Sequence, residues 1–509
     1  MTRLATIAPV AVATLLAAIT VAAQMRPGAA VEKTYGMGLP RDMDRLLIPD
    51  ADYPEYPLKP GQEAYKTVDG YRIKADLMRL TAFSLMSLDA GELYWGRIPG
   101  STFHQMALNF MAGEFEKLGL DVRRQPVDLP PMWYPTALSG TYRAGASRGP
   151  LLTLFPIDGT TPTPAAGISA DAVWVGVGAA PDLMNRDLTG KAVLIYSTFV
   201  PGGRSHSASD RAGLFNSNTL ATKAGAAMII NVMAVPGNAQ FNPEGAPEGP
   251  DAVPTLTISQ DEGFMLRDRL AAGERVEIRL SLTIEQRAGL KSENVFAVLP
   301  GRSDEQDLVV MHADGFFQGA MDNASGMATG LEIARYYAAK PWAERPRTMV
   351  FLLIPDHHHG EHGRALVIKT YDFSKVAVIL NLEHTSQTLL YMMNQDLVTA
   401  NAVSARRWYA SGSPAFQQLV KTTLRDFNVS VYTRPERTAG GSLGALTPFA
   451  PAFHIIDHVI YHTTLDTPEL VPAVGLTYSA RAFLKVLDES HGMTMAGLRG
   501  TAKLPNPLQ

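Results

Sequence analysis

The sequence predicts an α/β fold in which a mixed, mainly parallel sheet is covered by helices on both faces, with a β-rich module inserted ahead of most of its strands. Three observations predict it. Beyond Asn294, apolar runs of strand length alternate with amphipathic stretches of helical length, as in sheets whose faces are covered by helices. Between about residues 127 and 290, short Val, Leu and Ile runs alternate instead with Gly- and Pro-rich turns. The length of 509 residues exceeds what one compact core accommodates, so two or more domains are expected.

The chain opens with a targeting pattern. Arg3 supplies a short positive region, Leu4 to Ala22 is a nearly unbroken run of small and apolar residues, and Val21-Ala22-Ala23 before Gln24 offers a cleavage site. Residues 1–23 are therefore expected to be a signal peptide and the mature protein to be exported, either periplasmic or secreted. The run nears membrane-spanning length, but its Ala- and Thr-rich composition favours cleavage over an anchor. Residues 24–126 begin as an arm rich in Pro, Asp and Tyr, to about Lys66. Helical spacing then appears over Tyr71–Leu88 and Phe103–Leu118, with Gly119 suited to the C-cap of the second helix. The segment G-R-I-P-G-S at 96–101 makes the turn between them.

Within the inserted module, 127–290, Ala192–Tyr196 and Met228–Val232 read as strands, and Phe241–Asp251 as a loop dense in Pro, Gly and Glu. Residues 291–500 hold strands over Val295–Leu299, Leu308–Met311, Thr348–Ile354 and Lys375–Asn381. Helices are expected over Ser325–Ala339, Ala415–Phe427 and Ala473–Leu487, and residues 501–509 form a tail.

Composition narrows the function. A chain that is 46% hydrophobic and 18% charged suits a globular enzyme. A net charge of −4 gives no electrostatic case for nucleic acid or an anionic membrane surface. With no cysteine, disulfides, thiolate zinc sites and cysteine nucleophiles are excluded.

Nine of the twelve histidines fall between His312 and His462. Seven of these sit in M-H-A-D-G-F-F-Q-G-A-M-D-N-A-S-G (311–326), D-H-H-H-G-E-H-G (356–363), N-L-E-H (381–384) and Y-H-T-T-L-D-T (461–467), interleaved with carboxylates. Imidazole and carboxylate are the ligands a borderline-hard divalent metal takes from a protein. Most of these clusters follow a predicted strand, where sites in open α/β sheets lie, though the last does not. Alone, each has a plainer explanation: Asp322-Asn323 suits a helix cap, and three adjacent histidines suit a solvated loop. Together they point to a metal centre, with two ions expected. His104, His206 and His491 stand outside these clusters, and His454 and His458 read as structural.

The segments V-V-M-H-A-D (309–314), G-A-M-D-N-A-S-G-M-A-T-G-L-E-I-A-R (319–335) and Y-H-T-T-L-D-T (461–467) resemble the exported zinc aminopeptidase family. That family includes bacterial leucyl aminopeptidases, aminopeptidase Y and the glutamate carboxypeptidase II group. D-L-T-G-K-A-V-L-I (187–195), T-K-A-G-A-A-M-I-I-N (222–231) and V-P-T-L-T-I-S (253–259) resemble pieces of the protease-associated domain often inserted there. The resemblance implies a zinc exopeptidase-like fold and two zinc ions. His312 would bind one ion, His462 the other, Asp322 would bridge both, and Asp314 would orient His312.

Two positions depart from the family. Where it carries adjacent glutamates, a general base and then a metal ligand, this chain aligned without a gap has His357 and His358. His358 remains a competent ligand. His357 can serve as base, because an imidazole kept neutral beside two dications accepts a proton. A shifted alignment makes Glu361 the alternative ligand and puts Gly360 at the base position. At the place of a ligand aspartate stands Glu383, with His384 beside it as a further donor or alternative ligand.

The resulting expectation is an exported di-zinc exopeptidase, an aminopeptidase, acting on peptide substrates with no nucleic-acid partner and no stable membrane association. The alternative is a weakened homologue that binds peptides or a partner protein, which the loss of the paired glutamates keeps open.

Overall fold

The computed structural model describes residues 47–500 except 185, 201–203, 206–215, 244–245, 247–248, 394–395, 437–438 and 457–459. The expected signal peptide, the 501–509 tail, His206 and His458 lie outside the described residues.

The principal sheet has seven strands: β1 Asp121–Asp128, β2 Lys291–Leu299, β3 Gln306–His312, β4 Thr348–Ile354, β5 Val376–Leu382, β6 Arg407–Ala410 and β7 Ala452–Ile456. Their spatial order is β1-β2-β4-β3-β5-β7-β6. The central four, β4-β3-β5-β7, are mutually parallel, while β2 and β6 run antiparallel to their neighbours. The sheet is thus mixed with a parallel core, as the apolar runs predict.

Side chains alternate between the two faces, as strand geometry requires. Val309, Met311, Phe351, Leu353, Leu380 and Phe453 join one large core. That core also takes in Leu77 of α1 (Gly70–Asp89), Met111 of α2 (Thr102–Lys117), Leu331 of α3 (Gly326–Ala338) and Leu484 of a later helix, Ala473–Ser490. Leu308, Val310, Val350 and Leu352 face the other way, against Val367 of the helix His362–Thr370 and against Leu446 and Phe449. Helices therefore cover both faces, but unequally. Asp69 caps α1 by accepting from the amides of Tyr71 and Arg72, and Ser101 of the G-R-I-P-G-S turn caps α2 by accepting from that of His104.

A second sheet of eight strands lies within residues 132–287 and has its own core around Leu194, Ile230, Leu256 and Ile278. Its longest pair, Met132–Ala144 with Val276–Arg287, is antiparallel. The chain leaves the principal sheet at Asp128 and re-enters at Lys291, and these two residues are register partners across β1 and β2. The intervening segment therefore closes without displacing either strand. Strand β1 has no apolar alternation to reveal it: D-V-R-R-Q-P-V-D is an edge strand, mostly solvent-facing.

Candidate metal centre

The four parallel strands end at one edge of the sheet, and the chemistry gathers there. Strand β3 terminates on His312, β4 leads into Asp356–His359, and β5 leads into Glu383-His384. Strand β7 leads towards Tyr461-His462, so the last cluster also follows a parallel strand, one that the apolar pair Ile455-Ile456 suggests only locally. Asp322 comes from the segment Ala320–Ser325 between β3 and α3.

Four imidazoles converge on the Asp322 carboxylate in two pairs. His312 Nε2 and His384 Nε2 each lie 3.2 Å from Oδ1. His358 Nε2 and His462 Nε2 each lie 3.1 Å from Oδ2. All five side chains are at least 98% buried. The contacts of His312 Nε2 and of both carboxylate oxygens are not aligned as hydrogen bonds. Two ligands held about 2.1 Å from one tetrahedral ion stand roughly 3.2–3.4 Å apart, so each pair has the spacing of a shared cation. The electrostatics agree. Burial alone would raise the Asp322 pKa, but His358, His312 and His384 outweigh it and hold the group well below the ordinary carboxylate range. Burial alone would lower that of His312, but Asp314 and Asp322 outweigh it and push it up to about 9. The pocket favours positive charge, and its donor set fits zinc.

Asp314 organises the histidine run. Its Oδ1 accepts from His312 Nδ1 at 3.2 Å and from the His357 amide at 3.0 Å. Its Oδ2 accepts from the His358 amide at 2.8 Å and His359 Nδ1 at 3.0 Å. One fully buried carboxylate thus fixes the rotation of His312 and the course of the loop that carries His357 and His358.

Glu383 is also buried here, with Oε1 4.0 Å from His312 Nε2 and accepting from the Ser442 amide at 3.0 Å. Burial opposes its ionisation, but His357, His312 and His384 outweigh that and hold its pKa at about 2. His357 stands over His312 and His358, 4.6 Å from each ring centre. Burial, and then His358 and His312, hold its pKa down to about 4, so it is neutral at neutral pH. Its Nδ1 meets Glu361 Oε1 at 3.0 Å. The other oxygen of Glu361 pairs with Arg364, so this carboxylate is turned towards His357 and Arg364.

Several positioning groups escaped the sequence reading. Asp466, within Y-H-T-T-L-D-T, accepts from the amides of Met321 at 2.6 Å and Asp322 at 3.0 Å, which fixes the backbone under the central carboxylate. Asn323 bonds to the Leu382 carbonyl and caps α3 through the Gly326 amide, so the capping role expected of this pair falls to Asn323. His462 donates Nδ1–H to the Asn242 carbonyl at 3.1 Å, and the Asn242 amide donates back to the His462 carbonyl. The segment read as a plain loop thus sets which nitrogen His462 presents.

Arg97 is fully buried and donates to the carbonyls of Ala313, Gln318 and Gly319. Burial lowers its pKa to about 10 against the pull of Asp322, Asp466 and Asp314, which leaves it charged at neutral pH. Arg97→Met is expected to strand these carbonyls and lower unfolding free energy by about 3 kcal/mol, read from urea denaturation. An unchanged midpoint would contradict this role.

The profile of Peptidase family M28 matches residues 294–485. Over 102 residues the chain is 30% identical to a probable zinc metalloprotease of Pyricularia oryzae, a match spanning 20% of each chain. Among solved structures it is similar to a Peptidase M28 precursor from Shewanella amazonensis (TM-score 0.65, 19% identity, 87% of this chain and 96% of that one). It is also similar to a zinc aminopeptidase from Bacillus subtilis (TM-score 0.59, 17% identity, 86% and 99% of the chains). An aminopeptidase from Aneurinibacillus gives a TM-score of 0.55 at 18% identity, over 88% and 98% of the chains. These likenesses agree with the α/β architecture described above, and residues 294–485 of this chain are a Peptidase family M28 domain.

Proposed function

We propose that the protein is an exported di-zinc exopeptidase, an aminopeptidase that releases residues from peptide amino termini. The observation that carries this reading is the pairing of imidazoles on the two oxygens of Asp322. His312 and His384, with Glu383 beside them, would hold one ion; His358 and His462 would hold the other, and Asp322 would bridge the two. Zinc, when bound, supplies Lewis-acid polarisation of the scissile carbonyl and a more acidic water. His357, neutral and at the rim of the cluster, takes the proton of the attacking water. The water oxygen bonds to the carbonyl carbon, the C–N bond breaks, and His357 returns the proton to the leaving amine. Asp314 holds His312 and the histidine loop in place throughout.

Export rests on the pattern of Arg3, Leu4–Ala22 and Val21-Ala22-Ala23. Among the described residues no helix is long and apolar enough to cross a membrane. Residues 127–290 are read as a protease-associated-like module that shapes substrate access, and its Asn242 carbonyl also orients His462.

Amino-acid anilides and short peptides test the reaction. Turnover is expected with a free amino terminus, is lost on acetylating that terminus, and is abolished by a chelator and restored by zinc. Cleavage of the acetylated peptide from its carboxyl end would overturn the aminopeptidase assignment. Zinc that binds without any turnover would favour a peptide-binding homologue. His384→Ala is expected to weaken one of two zinc sites by about 10-fold or more, read by calorimetric titration, because one ion loses an imidazole. Two unaltered sites would assign the position to Glu383 alone.

A further inference from the structure

We propose that Glu361 is a positioning residue that fixes the tautomer and orientation of His357, so that Glu361 and His357 together replace a single carboxylate base. This rests on the reading of His357 as the base.

The geometry is specific. Glu361 Oε1 lies 3.0 Å from His357 Nδ1, four residues back in the chain. A carboxylate can only accept there, so the proton sits on Nδ1 and the lone pair on Nε2. Nitrogens of His357, His312 and His358 lie within 4.8 Å of one another, which puts the His357 ring at the cluster. The His357 amide is tied to Asp314, so ring and backbone are both held.

Glu361 is itself held. Its second oxygen pairs with Arg364, whose other amine reaches the Ser442 carbonyl at 3.4 Å. Glu361 also occupies the left-handed region at φ 57°, ahead of the helix His362–Thr370. A non-glycine residue there is strained. The strained backbone aims the carboxylate back along the chain at His357. The device works through tautomer and ring rotation, as a buried acid does for a catalytic histidine elsewhere.

The test is a double-mutant cycle on the zinc-loaded enzyme with E361Q, H357E and both together, with H357A as reference. E361Q is expected to lower kcat about 10–100-fold, with KM and zinc content unchanged. In the H357E background the same change is expected to cost nothing, because a carboxylate at 357 has no tautomer to fix. Nitrogen-15 spectra of histidine-labelled enzyme, with the His357 signals assigned by their loss in H357E, should show Nδ1 protonated in the parent and a tautomer mixture in E361Q. Equal losses in both backgrounds, or a tautomer that E361Q leaves alone, would overturn the proposal. Should E361Q be harmless while H357A is inactive, Glu361 loses its role and His357 keeps its own. Should H357A itself turn over substrate normally, the base assignment fails and this inference with it. If H357E is inactive for its own reasons, the spectra decide.

Discussion

Asp322→Ala is expected to abolish binding of both metal ions and all peptidase turnover. The substitution removes one oxygen from each pair of imidazoles at once, and the remaining histidines of the two pairs lose their common anion. His358 and His462 alone are a poor zinc site, because tetrahedral protein sites supply three or four ligands, and His312 and His384 keep only Glu383 beside them once the shared anion is gone. Elemental analysis should fall from two zinc ions per chain towards none. The stabilisation that zinc confers on the parent, about 4 kcal/mol at a free concentration 1,000 times the dissociation constant, should vanish as well. A variant that retains both ions would show that Asp322 is not the bridge.

His357→Ala and His358→Ala are expected to fail differently despite being neighbours. The His358 imidazole meets Asp322 Oδ2 beside His462, so its loss should strip one zinc and leave the other. The His357 ring lies against the cluster but bonds to Glu361 instead of Asp322. His357→Ala should therefore keep both ions and lose about 10²–10⁴-fold in kcat, the usual consequence of removing a general base. Metal content and kcat measured on the same preparations separate the two. If His358→Ala keeps both ions while Glu361→Ala loses one, the roles within D-H-H-H-G-E-H-G are shifted by three residues.

Much of this was legible because the chemistry sits where strands end. The apolar runs at Leu308–Met311, Thr348–Ile354 and Lys375–Asn381 located the parallel core, and the His and Asp residues after them marked the edge at which the imidazoles and carboxylates gather. What the sequence hid was side-chain direction. Glu383 and His384 are adjacent, and the contact of His384 with Asp322 depends on a left-handed backbone at φ 49°, which nothing in N-L-E-H announces. Groups acting through backbone carbonyls were equally silent: Asn242 serves His462 with its carbonyl, and Arg97 binds three carbonyls on the 313–319 segment. Asp466 was in plain view inside a recognised motif, but its role as acceptor for two amides emerges only once Met321 and Asp322 are folded over it.

The reading stands or falls on whether Asp322 bridges two ions, each flanked by a histidine pair. A zinc-soaked crystal measured at the zinc absorption edge tests it most directly. Two anomalous peaks per chain are expected, one between Asp322 Oδ1, His312 and His384, the other between Asp322 Oδ2, His358 and His462. A single peak, or a second one coordinated by Glu361 in place of His358, would contradict it.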